Sequence, residues 1–314
     1  MEPRSFRPRP VALIVGLALC AVALALPPTR CAQFLARDTN IALETLAQGV
    51  WIWKFATLLL ALTIFAADVF QARGEEAMAL LEAGRSGDDP PSSGWNALAI
   101  AICCIGFSLR CFNLNAGLWF DEIDTLVRYG NGSLLKAVSS FETQNNHLAY
   151  SVLANLSIHL FGSSAWALRL PAVLLGALSL WAVWRFALLI APRVEALLAT
   201  LLLAVSYHHL WFSQDARGYT GMFLATLIAT GAFLKMLWQR RATGIKLPLV
   251  YALAASFAVW MHTTAVFVVI AHFVVWAVLS ARRPGAGANR WQPLWGFVFA
   301  AAFSMWGYAL VLPQ

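Results

Sequence analysis

Apolar runs long enough to cross a lipid bilayer dominate this chain. About 20 apolar residues span the hydrocarbon core as a helix, and the longest run, residues 247–280, is interrupted only by the polar "HTT" at 262–264. Sixty per cent of the 314 residues are apolar and 12% are charged, whereas soluble domains average roughly 25% charged residues. These features predict an all-α, polytopic integral membrane protein.

The apolar runs predict nine transmembrane helices. The run at 247–280 is too long for one span, and a break at "HTT" divides it into two. The predicted spans cover residues 11–27, 49–69, 95–112, 166–190, 195–212, 218–238, 247–261, 264–280 and 292–312.

Basic residues orient these spans, because short loops rich in Lys and Arg stay in the cytoplasm. The charges that matter lie in the N-terminal segment and in two later loops, and they are Arg4, Arg7, Arg9, Arg240, Arg241, Lys246, Arg282, Arg283 and Arg290. With these segments inside, nine spans place the N-terminus inside and both the C-terminus and the loop 113–165 outside. The net charge of +7 then reflects cytoplasmic loops rather than a nucleic-acid surface.

Two features leave alternatives open. The first run follows Arg4, Arg7 and Arg9 like a cleaved signal peptide, but it lacks a convincing small-residue cleavage site, which favours an uncleaved helix. The five cysteines form no CxxC pair and mostly lie within apolar runs, as small buried hydrophobic residues do. A bridge between Cys31 and Cys111 outside the membrane is the other option.

The large outer loop contains one more apolar stretch, "NHLAYSVLANLSIHLFG" at 146–162. Its polar residues His147, Ser151, Asn155 and His159 recur every four positions and form one stripe on a helix. This pattern predicts a helix that lies in the outer interface. The alternative is a tenth span, which would invert every later segment and move both arginine clusters outside.

Three carboxylates directly follow the hydrophobic residues 118–120 in the stretch "GLWFDEIDTL". These flanks place Asp121 and Glu122 at the apolar boundary, where a low dielectric raises carboxylate basicity and strengthens charge interactions. A carboxylate in that position suits a general base or a metal ligand. The alternative is a solvated acidic loop, and this reading is kept for Asp124.

A second polar turn, "SQDARG", separates two predicted spans on the same outer side. Arg217 suits a phosphate because its planar guanidinium binds two oxygens at once. Arg110 and Arg169 fall at the same depth, where an arginine needs a partner or a wet cavity. Alternatively, Asp215 caps the next helix and the arginine extends to lipid headgroups. His262 either donates a hydrogen bond to phosphate or simply lets the chain turn.

Four segments follow one another in an order that carries a family resemblance. They are "LRCFNLNAGLWFDEIDTL", "NHLAYSVLANLSIHLFGSSAWALRLPAVLLGALSLWAVW", "YHHLWFSQDARGYTGMFLAT" and "WMHTTAVF". Over about residues 105–280 the chain resembles the GT-C glycosyltransferases that use polyprenyl-phosphate sugars, in the branch of protein mannosyltransferases and aminoarabinose transferases. This resemblance implies a seven-helix catalytic module over 95–314, with first outer loop 113–165, preceded by two additional helices within 1–94.

The resemblance assigns family motifs residue by residue. The acidic pair of the first outer loop is matched by Asp121 and Glu122, and the Ser-Gln-acid-Ala-Arg-x-Tyr turn by residues 213–219. The interfacial helix ends in "FG" and is followed by "ALRLP", which are matched by 161–162 and 167–171. Many relatives begin that helix with His-Pro-Pro-Leu-Tyr-Tyr, whereas this chain reads "NNHLAY" and lacks both prolines, which leaves the entrance geometry and the acceptor open.

The implied reaction transfers a sugar from a lipid phosphate to an acceptor hydroxyl with inversion at the anomeric carbon. We expect Asp121 to act as the base and Glu122 to assist it. Cationic or hydrogen-bonding groups are expected at the donor phosphate, namely Arg217, Arg110, Arg169 and His262. Positioning roles are expected for His147, Tyr150, Asp215 and Tyr219. An optional divalent cation would be bound by Glu122 and Asp215.

The Ala- and Leu-rich composition, with more Arg than Lys, suggests a bacterial source, so we expect a bacterial cytoplasmic membrane with the site on the periplasmic face. The partners of the implied enzyme are the bilayer, a polyprenyl-phosphate sugar, and an acceptor protein, glycolipid or glycan, and the sugar itself is not determined. The competing class is a transporter or flippase of a lipid-linked or anionic solute, which would place polar groups at mid-membrane and show internal repeats. A fragment that serves as an inactive membrane subunit is a third interpretation.

Overall fold

A computed structural model describes residues 10–75, 93–143, 146–238, 244–282 and 291–314. Every regular element in these ranges is a helix, which confirms the all-α prediction. Several basic residues that orient the predicted spans lie outside the described residues, namely Arg4, Arg7, Arg9, Arg240, Arg241, Arg283 and Arg290. The direction of insertion therefore stays a prediction.

Two groups of helices form the first half of the chain. The N-terminal group is α1 (Pro10–Ala25), α2 (Pro28–Leu35), α3 (Leu43–Glu75) and α4 (Ser93–Arg110). Shorter helices follow it, namely α5 (Phe120–Thr125), a π-helical turn at Leu126–Gly130, α6 (Leu134–Ser139) and α7 (Leu148–Phe161). Gly162 ends α7 with a φ of 88°, a backbone region that is readily open to glycine.

Longer helices make up the second half. They are α8 (Ala165–Ala187), α9 (Arg193–Ala204), α10 (Tyr207–Ser213), α11 (Tyr219–Trp238), α12 (Lys246–Met261), α13 (Val266–Arg282) and α14 (Gln292–Tyr308), with a 3₁₀ turn at Thr263–Ala265 between α12 and α13.

Five helices within the described ranges are long and apolar enough to cross a membrane, and up to seven spans result if each of two bent helix pairs is one span. The five are Leu43–Ala66, Ser93–Arg110, Ala165–Ala187, Tyr219–Trp238 and Thr263–Arg282. The apolar α12 has 16 residues, which is roughly 24 Å at 1.5 Å per residue against a core of about 30 Å. The count of nine spans therefore stays a prediction.

The breaks between helices test two details of the predicted spans. The split at "HTT" is confirmed, because α12 ends at Met261 and His262 has extended backbone angles before the chain becomes helical again. The predicted span 195–212 is not one straight helix: the chain leaves α9 at Val205 and Ser206, and α10 continues at 58° to it, although the two helices together are still long and apolar enough to be one bent span. The buried Arg110 stabilises this bend by donating hydrogen bonds to the last carbonyl oxygens of α9.

Helix α8 is the centre of the described bundle. It packs against α4, α7, α9, α10 and α11, while α12 lies between α11 and α14. Leu180 and Trp184 of α8 are fully buried, and a second cluster around Phe233, Tyr251 and Phe299 joins α11, α12 and α14. Because α3 packs against both α1 and α14, the N-terminal helices are attached to the second half of the chain.

The predicted polar stripe on α7 mostly faces the protein. Ser151 and Asn155 are buried whereas His159 is exposed. The Asn155 side-chain amide donates to the carbonyl oxygens of Tyr129 and Gly132, each at 2.7 Å. The stripe thus anchors the outer loop to α7, and an interfacial location of this helix stays a prediction.

All five cysteines are free thiols. The bridge considered between Cys31 and Cys111 is therefore not formed. Cys104 and Cys111 are exposed on α4 and just after it, so the expectation that cysteines are buried hydrophobic residues is wrong for these two.

Candidate active site

The two consecutive acids at the start of α5 lie in different environments. Glu122 is fully buried, and its Oε2 accepts a hydrogen bond from the Trp119 N–H at 2.9 Å, which satisfies a donor at the helix start. Asp121 points about 100° away around the helix, and its side chain is 53% exposed. Only Asp121 of this pair is therefore accessible to a substrate.

Glu122 binds Arg169 of α8 through two parallel hydrogen bonds. Arg169 Nε donates to Oε1 at 2.7 Å and Nη2 donates to Oε2 at 2.6 Å, which is the bidentate geometry of a strong ion pair. The Ala216 N–H also donates to Oε1 at 2.8 Å. This buried pair joins α5, α8 and the turn between α10 and α11, and it compensates both buried charges.

Arg169 uses its remaining donors on the loop before α5. Nη1 donates to the carbonyl oxygens of Leu114 and Ala116 at 2.9 and 3.0 Å, and Nη2 donates to that of Gly117 at 3.1 Å. A guanidinium has five N–H donors, and here all five are engaged inside the protein. Arg169 therefore holds the outer loop against α8 and has no N–H left for a phosphate.

Arg110 at the end of α4 is fully buried and also engages all five donors. Nε donates to Ser213 Oγ at 3.2 Å, and Nη2 lies 2.7 Å from His209 Nδ1. The other N–H groups donate to backbone carbonyls, those of Gly106, Leu203 and Ala204. The last two carbonyls end α9, where helical partners are missing. Arg110 thus stabilises the bend between α9 and α10.

Asp121 and Arg217 form an ion pair at the end of the bundle where Glu122 binds Arg169. Arg217 Nη1 lies 3.4 Å from Asp121 Oδ2, and the Arg217 side chain is 8% exposed. The guanidinium carbon lies 5.9 Å from the centre of the Tyr219 ring, within the range of a cation–π contact. A largely buried cation is therefore presented to an accessible carboxylate.

Three rings form a platform beside Arg217, which we define as His147, Tyr219 and His262. The ring centres of the two histidines are 4.7 Å apart, and the tyrosine ring lies 5.8 Å from His147 and 5.1 Å from His262. These residues come from the start of α7, the start of α11 and the break after α12. The platform thus joins three segments that are far apart in sequence.

Both histidines of the platform are neutral at physiological pH. Burial, together with the positive charge of Arg217 and the neighbouring His262, lowers the pKa of His147 to about 3. Burial and then Arg217 also lower the pKa of His262 below its usual value. The positive charge at the platform therefore belongs to Arg217.

Asp215 lies in the turn between α10 and α11, where its charge is sensitive to pH. Burial raises the pKa of its carboxyl to about 6, and the nearby charge of Glu122 acts in the same direction, while Arg217 and Arg169 oppose it. The Asp215 carbonyl accepts a hydrogen bond from the Arg217 N–H at 2.7 Å. Protonation of Asp215 near pH 6 thus changes the field around Arg217.

Tyr150 and Asp124 have contacts of a structural kind. Tyr150 is buried, and its hydroxyl donates to the carbonyl oxygen of Leu168 at 2.8 Å, which positions α7 on α8. Asp124 pairs with Arg128, and Thr143 Oγ1 donates to its Oδ2 at 3.1 Å. Asp124 is therefore part of a network within the outer loop.

Two contributors to the site were missed by sequence reasoning. A Cβ added at Gly218 would overlap the carbonyl oxygen of Met261, so glycine permits the close approach that brings Tyr219 to His262. Gln214 Nε2 donates to carbonyl oxygens at and just after the end of α4, those of Leu109 and Phe112, at 3.1 and 2.9 Å. The signal was present in "SQDARG", whose glutamine and glycine were read only as parts of a motif.

The optional divalent cation does not fit this arrangement. Within the described ranges no group of three or more His, Cys, Asp or Glu side chains is placed to hold a metal ion. Glu122, one of the expected ligands, already accepts two hydrogen bonds at each carboxylate oxygen. The four lone-pair sites of the Glu122 carboxylate are thus occupied, which leaves none for a metal ion.

One family profile matches the chain over residues 148–308, just over half of its length, and it describes the dolichyl-phosphate-mannose-protein mannosyltransferases. The chain belongs to this family. It is therefore a membrane glycosyltransferase of GT-C type. No match was found among curated proteins or among solved structures.

The part matched to the mannosyltransferase family begins with α7 and ends with α14. It contains Arg169, Arg217, Tyr219 and His262, whereas Asp121 lies before it. The accessible carboxylate thus comes from the segment ahead of the matched region, and the cation and most of the platform come from within it.

Proposed function

We propose that this glycosyltransferase moves a sugar from a polyprenyl-phosphate donor to an acceptor hydroxyl on the outer face of a bacterial cytoplasmic membrane. The observation that carries the proposal is the ion pair of Asp121 and Arg217, in which a half-exposed carboxylate faces a largely buried guanidinium at 3.4 Å. One group suits the acceptor proton and the other suits the departing phosphate.

The proposed reaction is a single displacement. Asp121 takes the proton of the acceptor hydroxyl while its oxygen attacks the anomeric carbon. The bond from that carbon to the phosphate oxygen breaks, and the lipid phosphate leaves as an anion beside Arg217. Because the phosphate is already a good anionic leaving group, the glycosidic oxygen needs no general acid, and the configuration at the anomeric carbon inverts.

Other predicted site residues are assigned by the contacts they make. Glu122 and Arg169 form the buried pair that holds α5 against α8. Arg110 stabilises the bend before the turn at 213–219. We therefore propose that these three residues position the site and do not contact the donor. We propose that His147, Tyr219 and His262 contact the sugar or its phosphate as neutral rings, since aromatic and imidazole groups combine an apolar face with hydrogen-bonding atoms. Tyr150 positions α7, and Asp215 modulates the field at Arg217.

The test compares Asp121→Asn with the matched control Asp124→Asn, purified in detergent with a polyprenyl-phosphate mannose as probe donor. A lost general base costs roughly 10²- to 10⁴-fold in rate, so Asp121→Asn is expected to lose that much turnover while its melting temperature and donor affinity stay close to the parent. Asp124→Asn is expected to transfer at the parental rate. Parental turnover in a folded Asp121→Asn protein would overturn the base assignment.

The transporter alternative receives no support from mid-membrane polar groups that the structure describes. His272 on α13 lies 3.2 Å from Thr230 Oγ1 through Nε2 and 3.2 Å from the Tyr251 hydroxyl through Nδ1. These groups satisfy one another inside the bundle, as buried polar groups that join helices do. Uptake of a lipid-linked solute by proteoliposomes without covalent sugar transfer would favour the transporter.

A further inference from the structure

A groove outside the candidate site lies between α8, α11 and α12. Its volume is about 450 Å³, which falls in the range of ligand-binding pockets. Most of its lining is apolar, with Trp181 and Phe186 from α8 and Ile228 from α11, but Arg185 and Lys235 also line it. A long apolar surface with two cations suits an amphipathic anion.

The groove lies at the opposite end of the bundle from the candidate site. On α8, Arg185 follows the site residue Arg169 by 16 positions, and on α11, Lys235 follows Tyr219 by 16 positions. At 1.5 Å per residue both cations are roughly 24 Å from the site along their helices. In a core of about 30 Å, they reach the headgroup region of the other leaflet.

Charge complementarity identifies the occupant. Both cationic side chains are exposed, and neither forms a salt bridge with another residue of the described ranges. A guanidinium and an ammonium on neighbouring helices together suit one phosphate, and basic pockets between transmembrane helices bind anionic lipid headgroups. A zwitterionic lipid would add a positive charge to the two already present.

We propose that this groove binds an anionic glycerophospholipid of the leaflet opposite the glycosyl-transfer site. The lipid phosphate lies between Arg185 and Lys235, and one acyl chain follows the apolar wall toward the middle of the membrane. Because the lining comes from three helices, a bound lipid stabilises the packing of α8, α11 and α12. The binding is independent of the transfer reaction.

The first test measures lipid binding to the purified chain by native mass spectrometry and by the melting temperature in detergent. Phosphatidylglycerol is the probe, and phosphatidylcholine with the same acyl chains is the control lipid. One phosphatidylglycerol is expected to bind saturably and to raise the melting temperature, with phosphatidylcholine at least roughly tenfold weaker. Equal binding of the two lipids would overturn the proposal.

Charge variants test whether the lipid binds in the groove. The double variant Arg185→Gln with Lys235→Gln is expected to weaken phosphatidylglycerol binding roughly 30-fold, because each basic group near a lipid headgroup contributes about a factor of five. The matched control is Arg193→Gln, which removes a basic residue that begins α9 at the same end of the bundle but does not line the groove. Equal losses in the double variant and the control would contradict the assignment.

A variant with a larger side chain tests whether the lipid occupies the apolar part of the groove. A Cβ added at Gly231 would meet the side chains of Leu189 and Phe186 at 3.6 Å, which is ordinary contact, and both residues line the groove. Gly231→Leu is therefore expected to fill it, to abolish lipid binding and to keep the lipid-free melting temperature near that of the parent. Retained binding in this variant, or displacement of phosphatidylglycerol by equimolar polyprenyl phosphate, would overturn the proposal, and neither result bears on Asp121 or Arg217.

Discussion

At the scale of single residues, the three arginines of this site differ in how their donors are used. Arg110 and Arg169 each direct all five N–H groups to protein acceptors, whereas Arg217 faces the half-exposed Asp121 and the Tyr219 ring. Buried cations with full sets of acceptors stabilise a fold, and a cation beside an accessible carboxylate suits a reaction. Substitutions at the three positions should therefore have different effects.

Arg217→Gln is expected to slow transfer strongly with little loss of stability. Removing one preorganised group that stabilises a developing anion costs roughly 10²- to 10³-fold in turnover, and Arg217→Lys should recover part of it because the charge returns without the planar fork. The measurement is the initial rate at saturating donor, with the melting temperature as control. Equal rates for the Lys and Gln variants would contradict a role for the charge.

Glu122→Gln is expected to act on stability. It leaves the Arg169 guanidinium buried without its carboxylate, and breaking such a pair costs roughly 3 to 5 kcal/mol. The double variant Glu122→Gln with Arg169→Gln should be less destabilised than the sum of the single variants, because the two residues interact directly. Additive changes in thermal stability would show that the pair is not coupled.

The raised pKa of Asp215 predicts a dependence of stability on pH. The folded chain holds this proton up to about pH 6, whereas an unfolded chain releases it near pH 4, so the contribution of Asp215 to stability is fully present below pH 4 and is lost as pH rises through 6. Asp215→Asn is expected to flatten the melting temperature between pH 4 and 7 and to raise it above pH 6. An unchanged slope in the variant would show that another group is responsible.

At the scale of elements, short interruptions of helices build the site. The bend between α9 and α10, the turn before α11 and the break after α12 each place polar residues at the same end of the bundle. The break was visible as "HTT" in an apolar run, whereas the bend depends on bonds from Arg110, 94 and 93 positions earlier in the chain than the carbonyls it binds. Close approach of backbones at such an interruption leaves no room for a larger side chain at Gly218.

Gly218→Ala is expected to impair both stability and transfer, because its Cβ would overlap the Met261 carbonyl oxygen. The two backbone segments must separate, which moves Tyr219 away from His262, and overpacking of this kind costs typically 1 to 3 kcal/mol. The matched control is Gly117→Ala, where an added Cβ meets nothing within 4 Å. Melting temperature and initial rate are measured for both, and equal behaviour of the two variants would contradict the close approach.

At the scale of the whole molecule, the candidate site and the lipid groove occupy opposite ends of the same helices. The distance of about 24 Å along α8 and α11 makes the two ends accessible from opposite sides of a membrane. The sequence predicts that the site end is outside. That orientation is open to a direct chemical test.

A variant that retains Cys111 as its one cysteine is expected to react with a membrane-impermeant maleimide on intact cells, because this exposed thiol follows α4 at the site end. A cysteine-free variant carrying Arg193→Cys, at the start of α9, serves as the control and should be labelled only after the membrane is permeabilised. The reverse pattern would invert the predicted topology and place the proposed reaction in the cytoplasm.

The sequence by itself determined the properties that depend on local pattern. Hydropathy predicts an all-helical membrane protein, the polar "HTT" predicts the break after α12, and the order of short motifs indicates the glycosyltransferase family. These inferences hold because hydropathy and motif order are carried by neighbouring residues. The same local pattern contains no sign of the 58° bend within the predicted span 195–212, nor of the contacts that engage every donor of Arg110 and Arg169.

Only the tertiary structure decided which buried polar groups already have their partners inside the protein. Glu122 and Arg169 are 47 positions apart, and Arg110 bonds to carbonyls more than 90 positions away. Whether a buried donor already has its acceptor is a property of such distant contacts, and no local pattern contains it. The structure thus identifies Glu122, Arg169 and Arg110 as residues whose hydrogen-bonding groups are used inside the protein, because hydrogen-bond saturation is settled only when the helices pack.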